Sequence, residues 1–278
     1  MNLKEHMELF KSKDEALWQK NKWIYDVIGG VFLDGERQVG NKITFASFPR
    51  SGNTFLRKYL TLLTGVPTGS DNTLHTDTSM QCSSFKGEDL IDDTCWVTKT
   101  HSPWWMIGSP RFSANKVLVI VRNPTESNLS WLHLCSTGAH SAKVPCDVTQ
   151  EYPNFWKWWT NDQMTLMLQW YKQYLDDAER KTCPILFVRF EDMVADPEPQ
   201  LEKIMKFMLN TNDLEGSNAE RRIKEVISMG AKATETYQLK DTTRKFNNNA
   251  KLYSEDQMAW IKDSFKEWLH YFGYAKVP

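Results

Sequence analysis

The run Lys116-Val117-Leu118-Val119-Ile120-Val121-Arg122 carries no polar residue between its two cations. A strand with one face in water alternates apolar and polar residues, whereas a strand apolar at every position is buried on both faces. A parallel sheet covered by helices on each side meets that condition. Residues 184–190, "PILFVRF", repeat the pattern, residues 43–48, "ITFASF", give a version in apolar and small residues, and "CWVTK" at 95–99 reads as a further short strand. Between these runs lie segments of helical period. Residues 53–64 place Phe55, Leu56, Tyr59, Leu60 and Leu63 on one face; a long helix is predicted over 155–177, and others near 197–209, 218–229 and 254–271. Pro124 suits the first turn of the helix after the 116–122 strand. Strands alternating with helices predict an α/β fold, a central parallel β-sheet flanked by helices in three layers. The 278 residues suffice for a sizeable core, and no linker-like stretch divides them. Residues 1–278 therefore read as one domain, with residues 1–40 as an N-terminal helical extension.

The strand ends carry the chemistry. After 43–48 the chain turns through Pro49-Arg50-Ser51-Gly52-Asn53-Thr54 into the next helix. Free amide groups at a helix N-terminus bind anions, Gly52 permits close backbone approach, and Arg50 adds a cationic fork. These residues alone are equally those of a capped helix beside an exposed arginine. The stretch is not the Walker A pattern, which needs Gly-x-x-x-x-Gly-Lys-[Ser/Thr]; a magnesium-dependent NTPase is disfavoured.

In "VTKTHSP", 97–103, Lys99 and His101 project to the same side of an extended chain. The imidazole is a candidate proton acceptor and the ammonium a candidate stabiliser of negative charge; a surface lysine and a hydrogen-bonded histidine would look the same. In "RNPTESNLS", 122–130, Arg122 ends the central strand and Ser130 lies on the next helix. Strand ends of parallel sheets face the ligand crevice, so both can bind one phosphate. Arg244 and Lys245 stand in the Asn-rich stretch "TTRKFNNNAK", either as a solvated pair or as part of an anion site.

The global charge excludes little beyond this. Lys plus Arg (34) nearly balance Asp plus Glu (35), which gives no argument for a nucleic-acid partner, so any basic site is local. No run approaches a membrane span, the polar N-terminus does not read as a signal peptide, and mean hydropathy is −0.54. The five cysteines, Cys82, Cys95, Cys135, Cys146 and Cys183, contain no Cys-x-x-Cys and predict reduced thiols and a cytoplasmic location. Cys135 and Cys146 flank one loop and would bridge only in a secreted protein. His133 and His140 lie nearby, but the spacing fits no standard zinc pattern, and no metal site is expected. Four of the 12 tryptophans fall in residues 155–171, as core or as a pocket wall.

Taken in order, these stretches resemble the sulfotransferases that use 3′-phosphoadenosine-5′-phosphosulfate (PAPS), the cytosolic type in particular. That group carries Tyr-Pro-Lys-Ser-Gly-Thr-Thr-Trp where this chain has "FPRSGNTF", Lys-Thr-His where it has "KTH", and Arg then Ser eight residues later, as Arg122 and Ser130 stand here. It carries Tyr-Glu-Asp-Met/Leu at "FEDM", 190–193, and Arg-Lys-Gly at "RKF", 244–246. The resemblance runs from about residue 43 to the end.

It implies a P-loop-like fold and sulfuryl transfer from PAPS to an acceptor hydroxyl or amine, with PAP (3′,5′-adenosine bisphosphate) as product and no metal. By resemblance, His101 is the catalytic base, assisted by Lys99, and Arg50 contacts the 5′-phosphosulfate. Ser51, Gly52, Asn53 and Thr54 cradle the 5′-phosphate, Phe55 stacks on adenine, and Phe190 lies near it. Arg122, Ser130, Arg244 and Lys245 form the 3′-phosphate site. The acceptor would be a small molecule, or a peptide or glycan, bound by residues 65–93, 102–112 and 134–160. The departures are Arg50 for Lys, Phe55 for Trp, Phe190 for Tyr and Phe246 for Gly, and the dimer motif of the cytosolic group is not found. The alternatives are a nucleotide-binding member without turnover and a small-molecule kinase.

Overall fold

The computed structural model describes residues 33, 41–71, 87, 90–103, 112–138, 142–229 and 249–274. The helical extension expected over residues 1–40 lies outside them save for Leu33, as do Arg244, Lys245, Phe246 and much of the expected acceptor stretches 65–93 and 102–112. The elements are β1 (Ile43–Ser47), α1 (Asn53–Thr64), β2 (Gly69–Ser70), β3 (Val97–Thr100), β4 (Lys116–Val121), α2 (Pro124–Thr137), α3 (Val148–Glu151), α4 (Pro153–Glu179), β5 (Ile185–Arg189), α5 (Phe190–Ala195), α6 (Pro197–Leu209), α7 (Asn218–Ser228), α8 (Glu255–Ser264) and α9 (Lys266–Tyr271). The five strands lie in the order β2-β3-β1-β4-β5, and every pairing is parallel.

The apolar run in β4 follows from its place in this order. Leu118 and Ile120 enter the core made with α1, α6 and α7, while Val119 and Val121 enter the core made with α4, α8 and α9. All four are 0% exposed. Successive side chains of a strand point to opposite faces, so a sheet with a hydrophobic core on each side demands apolar residues throughout. Truncating Ile120 to Ala would cost about 2–5 kcal/mol.

Local sequence sets the helix starts. Asn123 caps α2 by accepting from the Thr125 amide, with Pro124 in the first turn. Ser254 and Gln257 form a capping box at α8. The long helix is longer than expected at both ends, Pro153–Glu179. The helix expected over 254–271 is broken at Phe265, and Phe265 and Trp268 both enter the core, 0% and 2% exposed. Within α1, Arg57 is fully buried and donates from Nε to the Thr68 hydroxyl at 3.1 Å and from Nη2 to the Thr68 carbonyl at 2.9 Å. It thereby fixes the chain entering β2.

Candidate active site

β1 ends at Ser47, and the turn that follows is forced. Arg50 has φ 68 and Gly52 φ 100, both in the left-handed region. A Cβ on Gly52 would lie 2.3 Å from Cδ2 of Phe190, so glycine is required by space as well as by conformation. α1 starts at Asn53 with no side-chain cap. The amides of its first turn are therefore left to the loop, where the helix dipole favours an anion.

Residues from separate stretches meet there. Arg50 donates from Nε to the Ser130 hydroxyl at 2.9 Å, and Arg122 donates from Nη1 to the Arg50 carbonyl at 2.9 Å. The Arg122 guanidinium lies over the Phe190 ring, 4.7 Å from its centre, and 3.9 Å from the Glu126 carboxylate. Phe190 meets Phe55 edge-on at 5.8 Å. Phe55 is 7% exposed and packs equally against Tyr59, at 5.1 Å. Ser51 is buried, its hydroxyl 3.5 Å from that of Tyr171 on α4. The Asn53 side chain turns back to donate to the Ser47 hydroxyl at 2.9 Å. Thr54 is half-buried at the mouth of the helix.

His101 follows β3, beside the start of this loop. Its Nδ1 lies 2.6 Å from the Ser47 carbonyl oxygen and 3.3 Å from the Ser47 hydroxyl. A carbonyl oxygen only accepts, so Nδ1 carries the proton and Nε2 keeps its lone pair. Burial holds the imidazole well below the ordinary histidine range, and the charge of Lys99 lowers it further. Lys99 itself is buried in β3, opposite Phe45 of β1. The main chain around His101 is clamped by α4: Trp170 Nε1 donates to the carbonyls of His101 and Ser102 at 3.0 and 3.1 Å, and the Tyr174 hydroxyl donates to Ser102 O at 2.6 Å.

Sequence reasoning did not foresee this clamp. Its signal was the aromatic run on α4, where Trp170, Tyr171 and Tyr174 are at most 7% exposed, while Phe155 and Trp158 near the helix start stand in solvent. Glu126 was also missed; it receives the backbone amide and side-chain amide of Asn249, each at 3.0 Å. Cys95, Cys135, Cys146 and Cys183 are free thiols, so Cys135 and Cys146 are not bridged. Among the described residues no helix is long and apolar enough to cross a membrane, and no cluster of three or more His, Cys, Asp or Glu is placed to hold a metal ion.

Fold and site together define an α/β protein with an anion-ready edge, where the turn after β1, the first turn of α1 and the end of β4 converge. Residues 41–273 match the sulfotransferase domain family, and the chain belongs to that family. A WSCD family member of Aedes aegypti is 29% identical over 170 residues, covering 61% of this chain and 51% of that protein. A WSCD family member of Drosophila melanogaster is 28% identical over 163 residues, covering 59% and 49%. The chain thus spans about half the length of the curated relatives it matches. Among solved structures, retinol dehydratase in complex with retinol and PAP is similar in fold, with a TM-score of 0.52 at 14% identity, covering 83% of this chain and 81% of that one.

Proposed function

We propose that the chain transfers a sulfuryl group from PAPS to an acceptor hydroxyl or amine, with His101 as general base. The observation that carries this reading is the placement of an imidazole, with Nε2 unprotonated, on the residue just after β3, hydrogen-bonded to Ser47 at the end of the strand that feeds the loop. A capped turn beside an arginine would need no such neighbour. Family membership and the PAP held by retinol dehydratase support the choice of nucleotide.

The residues fit that nucleotide. The uncapped start of α1, the Gly52 position without room for a Cβ, and the convergence of Arg50 and Arg122 form a cradle for more than one anionic group. In this reading Arg50, Ser51, Gly52, Asn53 and Thr54 hold the 5′ end, Arg122 and Ser130 with Arg244 and Lys245 hold the 3′-phosphate, and Phe55 and Phe190 border the adenine. When bound, PAPS supplies an activated sulfuryl group. The chain's part is positioning and charge. Nε2 of His101 takes the proton of the acceptor, and its Nδ1–H, held by Ser47 O, keeps the ring aimed as charge develops. Lys99 and Arg50 offset negative charge on the departing phosphate side. The scheme assigns no metal.

The acceptor belongs to the small molecules, with peptides and glycans as further classes; retinol dehydratase holds retinol beside its PAP. The free thiols support a reducing compartment and hence the cytoplasm. Calorimetry with PAP and with adenosine 5′-phosphate tests the donor assignment. PAP is expected to bind at least about 10-fold more tightly, since its additional phosphate meets charged partners. Equal affinity, or no binding of either, would overturn it.

A further inference from the structure

Asp71 is a buried carboxylate to which the scheme above gives no part. It follows β2 directly and is 3% exposed. Its Oδ2 accepts from the hydroxyl of Thr100 at 2.7 Å, and that hydroxyl oxygen accepts from the amide of Ser102 at 2.9 Å. Thr100 is 0% exposed and Ser102 is 3% exposed. These two residues flank His101. The carbonyls on the other side of the same turn receive Trp170 and Tyr174. A second bond ties the strands, from the Asp71 amide to the Lys99 carbonyl at 3.1 Å.

We infer that Asp71 is a positioning residue for His101, acting through the Thr100 hydroxyl; the inference rests on His101 being the base. A strand end is where a parallel ladder stops fixing the backbone, so the peptide carrying a catalytic side chain there needs other restraints. Thr100 is the last residue of β3. Its hydroxyl can accept the Ser102 amide in fixed geometry only if its own proton has a definite acceptor. A carboxylate is a strong one, because a charge-assisted bond is shorter and stronger than a neutral one. The proton of Thr100 points to Asp71, the lone pair faces Ser102, and the His101 peptide is held between them. The imidazole is then held from its backbone by Asp71, Thr100, Trp170 and Tyr174 and from its ring by Ser47. A displacement of about 1 Å at a reacting group costs on the order of 100-fold in rate, which is the scale of what such a restraint protects.

The test compares Thr100→Val, Thr100→Ser, Asp71→Ala and Asp71→Asn with His101→Ala, each read as kcat per PAP-binding site, as PAP affinity and as acceptor KM. Thr100→Val and Asp71→Ala are expected to lose about 10–100-fold in kcat while PAP affinity stays within about 2-fold. Thr100→Ser keeps the hydroxyl, and Asp71→Asn keeps an acceptor oxygen, so both should restore kcat to within about 3-fold of the parent. A merely structural role would lower the fraction of PAP-binding protein and leave kcat per site unchanged; that result overturns the inference. So does an effect confined to acceptor KM, or an Asp71→Asn variant as impaired as Asp71→Ala. Should Asp71→Ala not fold, Thr100→Val against Thr100→Ser decides. Undiminished turnover in His101→Ala would instead remove the base itself, whereas loss there with full kcat in Thr100→Val removes only the part assigned to Asp71.

Discussion

Nδ1 of His101 lies 2.6 Å from the main-chain oxygen of Ser47. The contact follows from the sheet: β1 and β3 pair in parallel with Ala46 opposite Thr100, so the next residue of each strand emerges at the same edge. Ser47 leads into the turn before α1 and His101 into the clamped turn. One pairing therefore sets His101, the proposed base, beside the proposed anion cradle and fixes its tautomer, with Nε2 free to accept a proton.

His101 should titrate below pH 6.5, because burial and the Lys99 charge both disfavour the imidazolium. Lys99→Met should move the midpoint upward. NMR of the labelled ring checks both, and a midpoint at or above 6.5 would contradict them. The sign for stability follows from linkage: as pH falls below 6.5 the unfolded chain gains the proton first, so this residue's contribution is lost between 6.5 and the lower folded value.

Gly52→Ala should fail on two counts. The position has φ 100, and the added Cβ would lie 2.3 Å from Phe190. Backbone strain alone costs about 1–3 kcal/mol, and the contact with Phe190 adds to it. Thermal denaturation should show the loss, and calorimetry should show weakened PAP binding. The double variant with Phe190→Ala relieves the contact but not the φ, so it should recover stability only in part.

Phe190 is predicted to act through Arg122. The guanidinium lies 4.7 Å from the ring centre. Phe190→Leu should weaken PAP by about 2–30-fold, the range of a cation–π contact from exposed to desolvated settings. Adenosine 5′-phosphate should be weakened less, because it shares the adenine that Phe190 is proposed to border but lacks the group that Arg122 is proposed to meet. A parallel loss for both ligands in calorimetry would place the effect elsewhere.

Arg50→Ala should lower the transfer rate by more than about 10-fold, if the guanidinium meets charge developing in the transition state. Single-turnover kinetics separates this from binding. The Arg50 side chain holds the Ser130 hydroxyl, so PAP affinity should also fall.

How far the sequence revealed this arrangement depended on the range of the forces involved. β4 was legible because each of its faces meets a core, and the start of α2 because Asn123 and Pro124 act locally. Arg50, Arg122 and His101 were legible as polar groups at the ends of strand-like runs, and Ser130 as a hydroxyl on the helix that follows one of them. Arg57 was not: the apolar stripe of α1 leaves it facing away, and its buried partner Thr68 lies beyond the helix. β2, two residues long, has no periodicity to read. The positive φ of Arg50, the break at Phe265 and the chain from Asp71 to Ser102 all depend on residues distant in sequence.

The central claim is sulfuryl transfer with His101 as base. Its most direct measurement is transfer of radiolabelled sulfate from PAPS to a panel of phenols, sterols, sugars and tyrosyl peptides, with His101→Ala alongside. The parent chain should label at least one acceptor class, and His101→Ala should bind PAP normally yet transfer at least about 100-fold more slowly. Undiminished transfer by His101→Ala, or no transfer by a parent chain that binds PAP, would contradict the account.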